Sequence, residues 1–194
     1  VEVTLRQLDK LNSLLDGALK AGLNEIRSVS LGLAQPDAYK DKARKAVEYY
    51  REYFSVTGLF ENKVYDGMED VLDKLKLAGH KLYVATSKPK VYADRILERF
   101  DLKKYFEYVA GADLEGHKSN KKSEVIAEVI RILGNPPKSK ILMIGDRKHD
   151  IIGARDNGIR TAAVLYGYGN RKEFEEECAD YILEKVEDIL QFRS

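Results

Sequence analysis

The spacing of hydrophobic and polar positions changes at about residue 64. Before it, leucines recur at steps of three and four residues and predict a helix over residues 4–22. Residues 26–33 alternate between apolar and polar positions, which is typical of a strand. Pro36 then opens a second predicted helix that runs to about Phe54.

After residue 64, short apolar runs alternate with helical patterns. The predicted strands are 81–86, 106–110, 141–144 and 161–165. The predicted helices begin near residues 66, 87, 121, 170 and 186, and the one at 170 ends at Cys178. Another predicted helix follows strand 141–144 and runs to Asn157. Alternation at this spacing favours a parallel sheet that is covered on both faces. We therefore predict an α/β fold, three-layered and Rossmann-like, whose mostly parallel sheet binds ligands at the carboxyl ends of its strands.

Two clusters of polar residues have the chemistry to bind phosphate. Thr86 and Ser87 follow a predicted strand and precede a helix, where hydroxyls, backbone N–H groups and the helix dipole all favour an anion. Ser87 would equally serve as a helix N-cap and nothing more. Residues 119–123 (SNKKS) lie at the start of the helix predicted near residue 121. A lysine there would neutralise a phosphate, or would simply lie at the surface.

A third cluster has the chemistry to bind a metal. Four apolar residues lead to Gly145 and Asp146, and Asp150 follows one helical turn later. Both carboxylates would then face one point, and hard oxygen ligands of this kind suit Mg²⁺. The alternative is that both acids only cap the helix. His149 lies between them and is expected to face solvent.

The composition of the chain gives no support for a nucleic-acid or membrane partner. The chain has 33 basic and 32 acidic residues and a net charge of +1, which gives no argument for nucleic-acid binding. It contains no apolar stretch of membrane-spanning length, so no membrane partner is expected. Cys178 is the single cysteine and excludes an internal disulfide. A reducing compartment is consistent with this, and we expect a cytoplasmic location.

The three clusters together resemble the haloacid dehalogenase superfamily, in particular its phosphoglycolate-phosphatase-like hydrolases. The resemblance rests on residues 83–89 (YVATSKP), 120–126 (NKKSEVI) and 145–154 (GDRKHDIIGA) and extends over about residues 47–190. It implies that Thr86 binds the phosphoryl group, with Ser87 beside it. It also implies that Lys122 neutralises the phosphate and that Asp146 and Asp150 hold Mg²⁺.

The first motif of that family is missing from this sequence. The family has a buried N-terminal strand that ends in Asp-x-Asp, whose first aspartate is the nucleophile and whose second is the general acid/base. No Asp-x-Asp occurs at any position of this chain. If the strand over residues 26–33 takes the vacant place, Asp37 is the nearest acid, and its position at a helix start favours a capping role. We therefore expect Mg²⁺ binding to be weak.

The first 46 residues resemble a different family, the SIMPL (DUF541) proteins of the bacterial envelope. The likeness rests on residues 1–11 (VEVTLRQLDKL), 21–26 and 29–33. We therefore predict a chimera, engineered or natural, with three parts. Residues 1–46 would be a SIMPL-like β-α-β-α segment in place of the first strand and part of the cap. Residues 47–62 would be a remnant of a helical cap, and residues 63–194 the haloacid-dehalogenase-like core.

Three functional hypotheses follow from the sequence. The favoured one is a non-catalytic protein on a phosphatase-like scaffold, with a residual phosphate and Mg²⁺ site. The second is a Mg²⁺-dependent phosphatase of small phosphomonoesters such as phosphoglycolate. The third is a module that binds phosphate without turnover. Open strand edges around the replaced segment make a homo-oligomer plausible.

Overall fold

The computed structural model describes residues 49, 52–112 and 121–192. Residues 52–56 are helical and are followed by a 3₁₀ turn at Gly58–Phe60. The α-helices that follow are α1 (Met68–Leu77), α2 (Lys90–Arg99), α3 (Lys122–Ile132), α4 (Lys148–Asp156) and α5 (Arg171–Glu176). The strands are β1 (Leu82–Pro89), β2 (Phe106–Ala112), β3 (Leu142–Gly145), β4 (Arg160–Val164) and β5 (Tyr181–Leu183). Further 3₁₀ turns are Lys103–Tyr105, Lys138–Lys140 and Val186–Phe192.

Residues 64–192 belong to one compact unit, and the segment that ends at Lys63 belongs to another. Within the larger unit every strand pair is parallel, which confirms the predicted α/β class. The strands form two ladders, one in the order β1-β2 and one in the order β3-β4-β5. In the register of the second ladder, Gly145 pairs with Ala163, so the ends of β3 and β4 reach the same edge.

The side chains of each strand alternate between two helical layers. Val84 packs with the apolar stripe of α1 and with α2, whereas Ala85 packs against α3. In β4, Ala162 belongs to the first layer, and Ala163 faces Ile151 of α4 and Phe174 of α5. Helices therefore cover both faces, as the strand–helix alternation predicts.

A cavity separates the two ladders, and we call it the central gap. It has a volume of about 760 Å³ and is lined by residues of β1 and β3, by α3 on one face and by Leu75, Ile189 and Phe192 on the other. Among the described residues no backbone ladder joins β1 to β3. The segment predicted to replace the first strand, over residues 1–46, lies outside the described residues.

Four features of the structure differ from what the sequence predicts. Strand β1 extends to Pro89 rather than ending at Thr86, because the residue before a proline is held in an extended conformation. The following helix therefore begins at Lys90, and its N-cap, Pro89, makes no side-chain bond. Strand β5, which is only three residues long, was not predicted from the sequence. Helix α5 ends at Glu176, shorter than the predicted span from Asn170 to Cys178.

Candidate functional site

Thr86 lies near the carboxyl end of β1 with 4% of its surface exposed. Its Oγ1 accepts a hydrogen bond from the backbone N–H of Lys88 at 3.1 Å, so the hydroxyl is held against the strand end. Ser87 is exposed and belongs to the strand. Its reading as a helix N-cap is therefore wrong. The structure brings the two predicted hydroxyls to the same strand end, one buried and one at the surface.

Lys122 is the first residue of α3, and its side chain points inward. The residue is 8% exposed, and its Nζ donates to the carbonyl oxygen of Ala85 at 3.0 Å. The same Nζ lies 2.9 Å from Asp150 Oδ1. The adjacent Lys121 is exposed. Lys122 thus joins the end of β1 to the first turn of α4, which places a buried cation beside Thr86.

Asp146 follows β3 directly and is 1% exposed. Its Oδ2 accepts the backbone N–H of Tyr168 at 2.8 Å, and its carbonyl oxygen accepts the N–H of Gly169 at the same distance. A Cβ at Gly167 would overlap the Asp146 side chain, and one at Gly169 would overlap the Asp146 carbonyl and Phe174. The loop after β4 can therefore wrap this carboxylate only because glycines flank Tyr168.

Asp150 is equally buried, with 2% of its surface exposed, and it orders the loop after β3. Its Oδ2 accepts the backbone N–H groups of Asp146 at 3.1 Å and Arg147 at 3.0 Å. A Cβ at Gly145 would overlap this side chain, so the close approach again requires glycine. Asp150 therefore positions Asp146 through the backbone and neutralises Lys122 through its other oxygen. His149 between them is exposed, as expected.

The neighbourhood of Asp146 also affects a tyrosine. Tyr166 packs edge-on against Tyr65, with ring centroids 5.0 Å apart. Burial raises the pKa of the Tyr166 hydroxyl above its ordinary value, and the nearby Tyr65 and the carboxylate of Asp146 raise it further. Tyr166 is therefore neutral wherever the protein is folded at physiological pH.

The described donors fit a Mg²⁺ ion only in part. Asp146 offers a carboxylate at the strand end, and Mg²⁺ in proteins is often held by one or two carboxylates together with waters and a phosphate. Both oxygens of Asp150 already contact N–H groups or Lys122. Across residues 52–112 and 121–192, no cluster of three acidic, histidine or cysteine side chains is placed to hold a metal. Asp146 would therefore be the principal protein ligand, with Asp150 behind it.

Sequence reasoning missed the loop that follows β4 as part of this site. The N–H groups of Tyr168 and Gly169 hold Asp146, although they lie 22 and 23 residues further along the chain. In the sequence, the pair of glycines in residues 165–169 (LYGYG) was the feature that could have indicated this loop.

No described helix is long and apolar enough to cross a bilayer.

Comparison with known proteins gives matches to two unrelated families, each over a different part of the chain. The model of haloacid dehalogenase-like hydrolases matches residues 23–164. A 5'-nucleotidase from Pseudomonas aeruginosa is 42% identical over 147 residues, which cover 72% of this chain and 66% of the nucleotidase. The protein YggE of Escherichia coli K12 is 98% identical over 46 residues, which cover 24% of this chain and 19% of YggE. The chain therefore spans slightly less than two thirds of the nucleotidase and about a fifth of YggE.

A solved structure shows the same arrangement of elements. A predicted phosphatase from Clostridium acetobutylicum superposes with a TM-score of 0.76 and 36% identity, covering 96% of this chain and 82% of that protein. The short, nearly identical YggE segment beside a match to a different family supports a chimera. The hydrolase match begins at residue 23, upstream of the domain boundary predicted at residue 47.

Proposed function

Because the chain belongs to the haloacid dehalogenase-like hydrolase family, we propose that Thr86, Lys122 and Asp146 form a phosphatase-type site for small phosphorylated molecules. The observation that carries the proposal is the buried Lys122 ammonium, held between the end of β1 and Asp150. A cation that is fixed in place beside a hydroxyl can bind a phosphoryl oxygen without reorganising. Ser87 lies at the exposed side of the same strand end.

The charges of the site make phosphate binding depend on Mg²⁺. Lys122 already pairs with Asp150, and Asp146 adds a second buried carboxylate at the end of β3. A phosphate dianion is repelled by such a site unless a divalent cation offsets the carboxylates. Bound Mg²⁺ would supply that charge and polarise a phosphoryl oxygen. With Asp146 as its principal protein ligand, we propose that the ion binds weakly.

We further propose that this chain binds its phosphorylated ligand without hydrolysing it. Asp146 and Asp150 are almost fully buried, and both accept hydrogen bonds from backbone N–H groups. A nucleophilic carboxylate must instead present an oxygen to phosphorus. The absence of any Asp-x-Asp from the sequence supports the same proposal.

The first test is hydrolysis of p-nitrophenyl phosphate and phosphoglycolate with and without Mg²⁺. Asp146→Asn, which keeps the shape of the side chain and removes its charge, is the control. We expect no turnover by the parent chain above that of the variant. Mg²⁺-dependent turnover that disappears in Asp146→Asn would refute the non-catalytic proposal.

A binding measurement tests the site independently of turnover. Isothermal titration of inorganic phosphate should give heat with millimolar Mg²⁺ present and none with EDTA. Lys121→Ala should bind like the parent chain, because Lys121 is exposed. Phosphate binding of equal strength with Mg²⁺ and with EDTA would contradict the charge argument.

The second candidate is a Mg²⁺-dependent phosphatase of small phosphomonoesters. It is favoured by the 42% identity to the Pseudomonas aeruginosa 5'-nucleotidase. A nucleoside 5'-monophosphate therefore belongs in the assay beside phosphoglycolate. Release of phosphate from the nucleotide alone would establish this candidate and identify its substrate class.

The proposed partners follow from the charge of the whole chain. A balance of 33 basic and 32 acidic residues favours a small anionic ligand over nucleic acid or a membrane.

Homo-oligomerisation and a cytoplasmic location remain predictions. Light scattering after size exclusion tests the first, and fractionation of expressing cells tests the second.

A further inference from the structure

A second cavity lies at the opposite edge of the sheet from the candidate phosphate site, and we call it the basic pocket. Its described lining comes from the 3₁₀ turn before β3, the end of α4, the start of β4 and the loop before β5. These elements lie within residues 138–180, one continuous stretch of the described chain. The phosphate site is formed where the parallel strands end, whereas the basic pocket adjoins the residues at which β4 begins.

Three cations border the basic pocket, and two of them have no carboxylate partner among the described residues. Arg160 donates to the hydroxyl of Tyr181 at 3.2 Å and to the carbonyl oxygen of Ser139 at 3.0 Å, and both acceptors are uncharged. These two bonds hold the guanidinium in place without neutralising it. Lys138 is exposed and forms no ion pair within the described part of the chain.

The two carboxylates nearest the third cation and the pocket wall are already engaged. Arg155 donates to the carbonyl oxygen of Glu177 at 3.1 Å and lies 3.3 Å from the carboxylate of the same residue. Asp180 lines the pocket, and its Oδ2 accepts the N–H of Thr161 at 2.8 Å and its hydroxyl at 3.1 Å. Asp180 thereby fixes the loop before β5 against β4, which gives the pocket a rigid wall.

The basic pocket has the size and the lining of a site for a small organic molecule. Its volume is about 750 Å³, and pockets for such molecules typically measure about 300–1,000 Å³. Ile151 of α4 and Ile159 before β4 supply apolar surface. Lys138 and Arg160 belong to separate elements, so each can bind an anionic group of its own. This combination favours two anionic groups on one apolar body over a single inorganic ion.

We propose that the basic pocket binds a small organic dianion. One anionic group of the ligand pairs with Arg160 and the other with Lys138, and its apolar body packs against Ile151 and Ile159. This inference is independent of the proposed phosphate site, because the pocket lies at the other edge of the sheet and its cations act without Mg²⁺. Failure of either proposal therefore leaves the other unaffected.

Calorimetric titration of the full chain with isophthalate in Mg²⁺-free buffer tests the proposal. Isophthalate carries two carboxylates on one benzene ring, and benzoate is the matched probe, since it keeps the ring and loses one carboxylate. We expect one isophthalate per chain and binding of benzoate that is weaker by about tenfold. No binding of isophthalate, or equal binding of the two probes, would overturn the proposal.

Two variants test the cations that the proposal names. Lys138→Ala and Arg160→Gln should each weaken isophthalate binding by about tenfold. Lys140→Ala is the matched control, because Lys140 is an exposed lysine of the same 3₁₀ turn and lies outside the described lining of the pocket. It should bind isophthalate like the parent chain. An equal loss in Lys138→Ala and Lys140→Ala would show a general attraction to surface charge and refute the site.

Cys178 allows the position of the ligand to be measured. It is the single cysteine of the chain, it is exposed, and it lines the basic pocket. Isophthalate should slow the alkylation of Cys178 by uncharged iodoacetamide, with half of the effect at the dissociation constant found by calorimetry. In Lys138→Ala the same effect should require about ten times more isophthalate. Alkylation that is unchanged at saturating isophthalate would place the ligand elsewhere and contradict the proposal.

Discussion

Lys122 is the residue on which the packing of the site depends. Its ammonium group satisfies the Ala85 carbonyl and Asp150 together, and the side chains of Lys122 and Asp150 are buried. A buried ion pair adds little net stability over an apolar pair of the same shape. Removing one member is nevertheless costly, since it leaves the other charge buried without compensation.

Lys122→Ala is therefore expected to destabilise the fold by about 3 kcal/mol, because Asp150 loses its cation. The matched control is Lys121→Ala at the neighbouring exposed position, which should change the free energy of unfolding by less than about 0.5 kcal/mol. Urea denaturation followed by circular dichroism measures both values. Equal shifts in the two variants would show that Lys122 is not held as the structure describes.

Tyr166 gives a prediction about alkaline pH. Burial, followed by the effects of Tyr65 and Asp146, raises the pKa of its hydroxyl in the folded state. The unfolded chain therefore releases this proton first, and stability that is complete below pH 10 falls as the pH rises above it. Tyr166→Phe lacks this proton. Between pH 10 and 11 the parent chain should lose about 1 kcal/mol more than the variant, because the unfolded tyrosine is half ionised at the start of that window. Parallel stability curves between pH 10 and 11 would contradict the assignment.

At the scale of elements, the loop after β4 is as important to the site as the strand ends themselves. Its backbone reaches Asp146 because Gly167 and Gly169 have no side chain to collide with it. Helices α3 and α4 also meet closely, since a Cβ at Gly153 would lie 3.0 Å from Lys122 Cγ. Small residues thus set how near the elements of the site approach one another.

Gly167→Ala should therefore disturb the loop and the acid together. The added methyl group overlaps the Asp146 side chain, and overpacking of this kind costs about 2 kcal/mol. Mg²⁺ binding, measured by titration calorimetry, should weaken as Asp146 moves. Tyr168→Ala is the control, since it keeps the backbone N–H that bonds to Asp146. Unchanged metal binding in Gly167→Ala would show that the loop does not position the carboxylate.

The elements differ in how much of them the sequence could predict. Helix α1 and strand β3 carry strong local patterns, and the predicted positions agree with the structure to within about two residues. Strand β5 has three residues, too few to show any period, and is defined by its pairing with β4. The bond from Tyr168 to Asp146 joins residues 22 apart, so no local pattern contains it.

At the scale of the whole molecule, the central gap divides the described strands into two ladders, and helices pack across both. Helix α3 packs on β1 and β2 and also meets α4, which covers β3 and β4. The two ladders share side-chain contacts across these helices and, among the described strands, no backbone hydrogen bonds. Cooperative units in proteins often coincide with such substructures.

Native-state hydrogen exchange should reveal this division. Amides of β1 and β2 are expected to open with one free energy, and amides of β3, β4 and β5 with another, because no pairing among the described strands couples the two ladders. Exchange measured at increasing urea concentrations separates the two groups. One common opening free energy for all five strands would show that the two ladders unfold as a single cooperative unit.

The bond between Asp146 and Tyr168 also has a kinetic consequence. It spans α4, β4 and the loop that follows, so the chain must complete this β-α-β unit before the carboxylate can be covered. Contacts that form after the transition state affect the rate of unfolding and leave the rate of folding unchanged. We expect the bond between Asp146 and Tyr168 to form after the transition state, and a substitution in the loop should then shorten the lifetime of the native state without delaying its formation. On this expectation, those few glycines set how long the folded protein persists more than how fast it assembles.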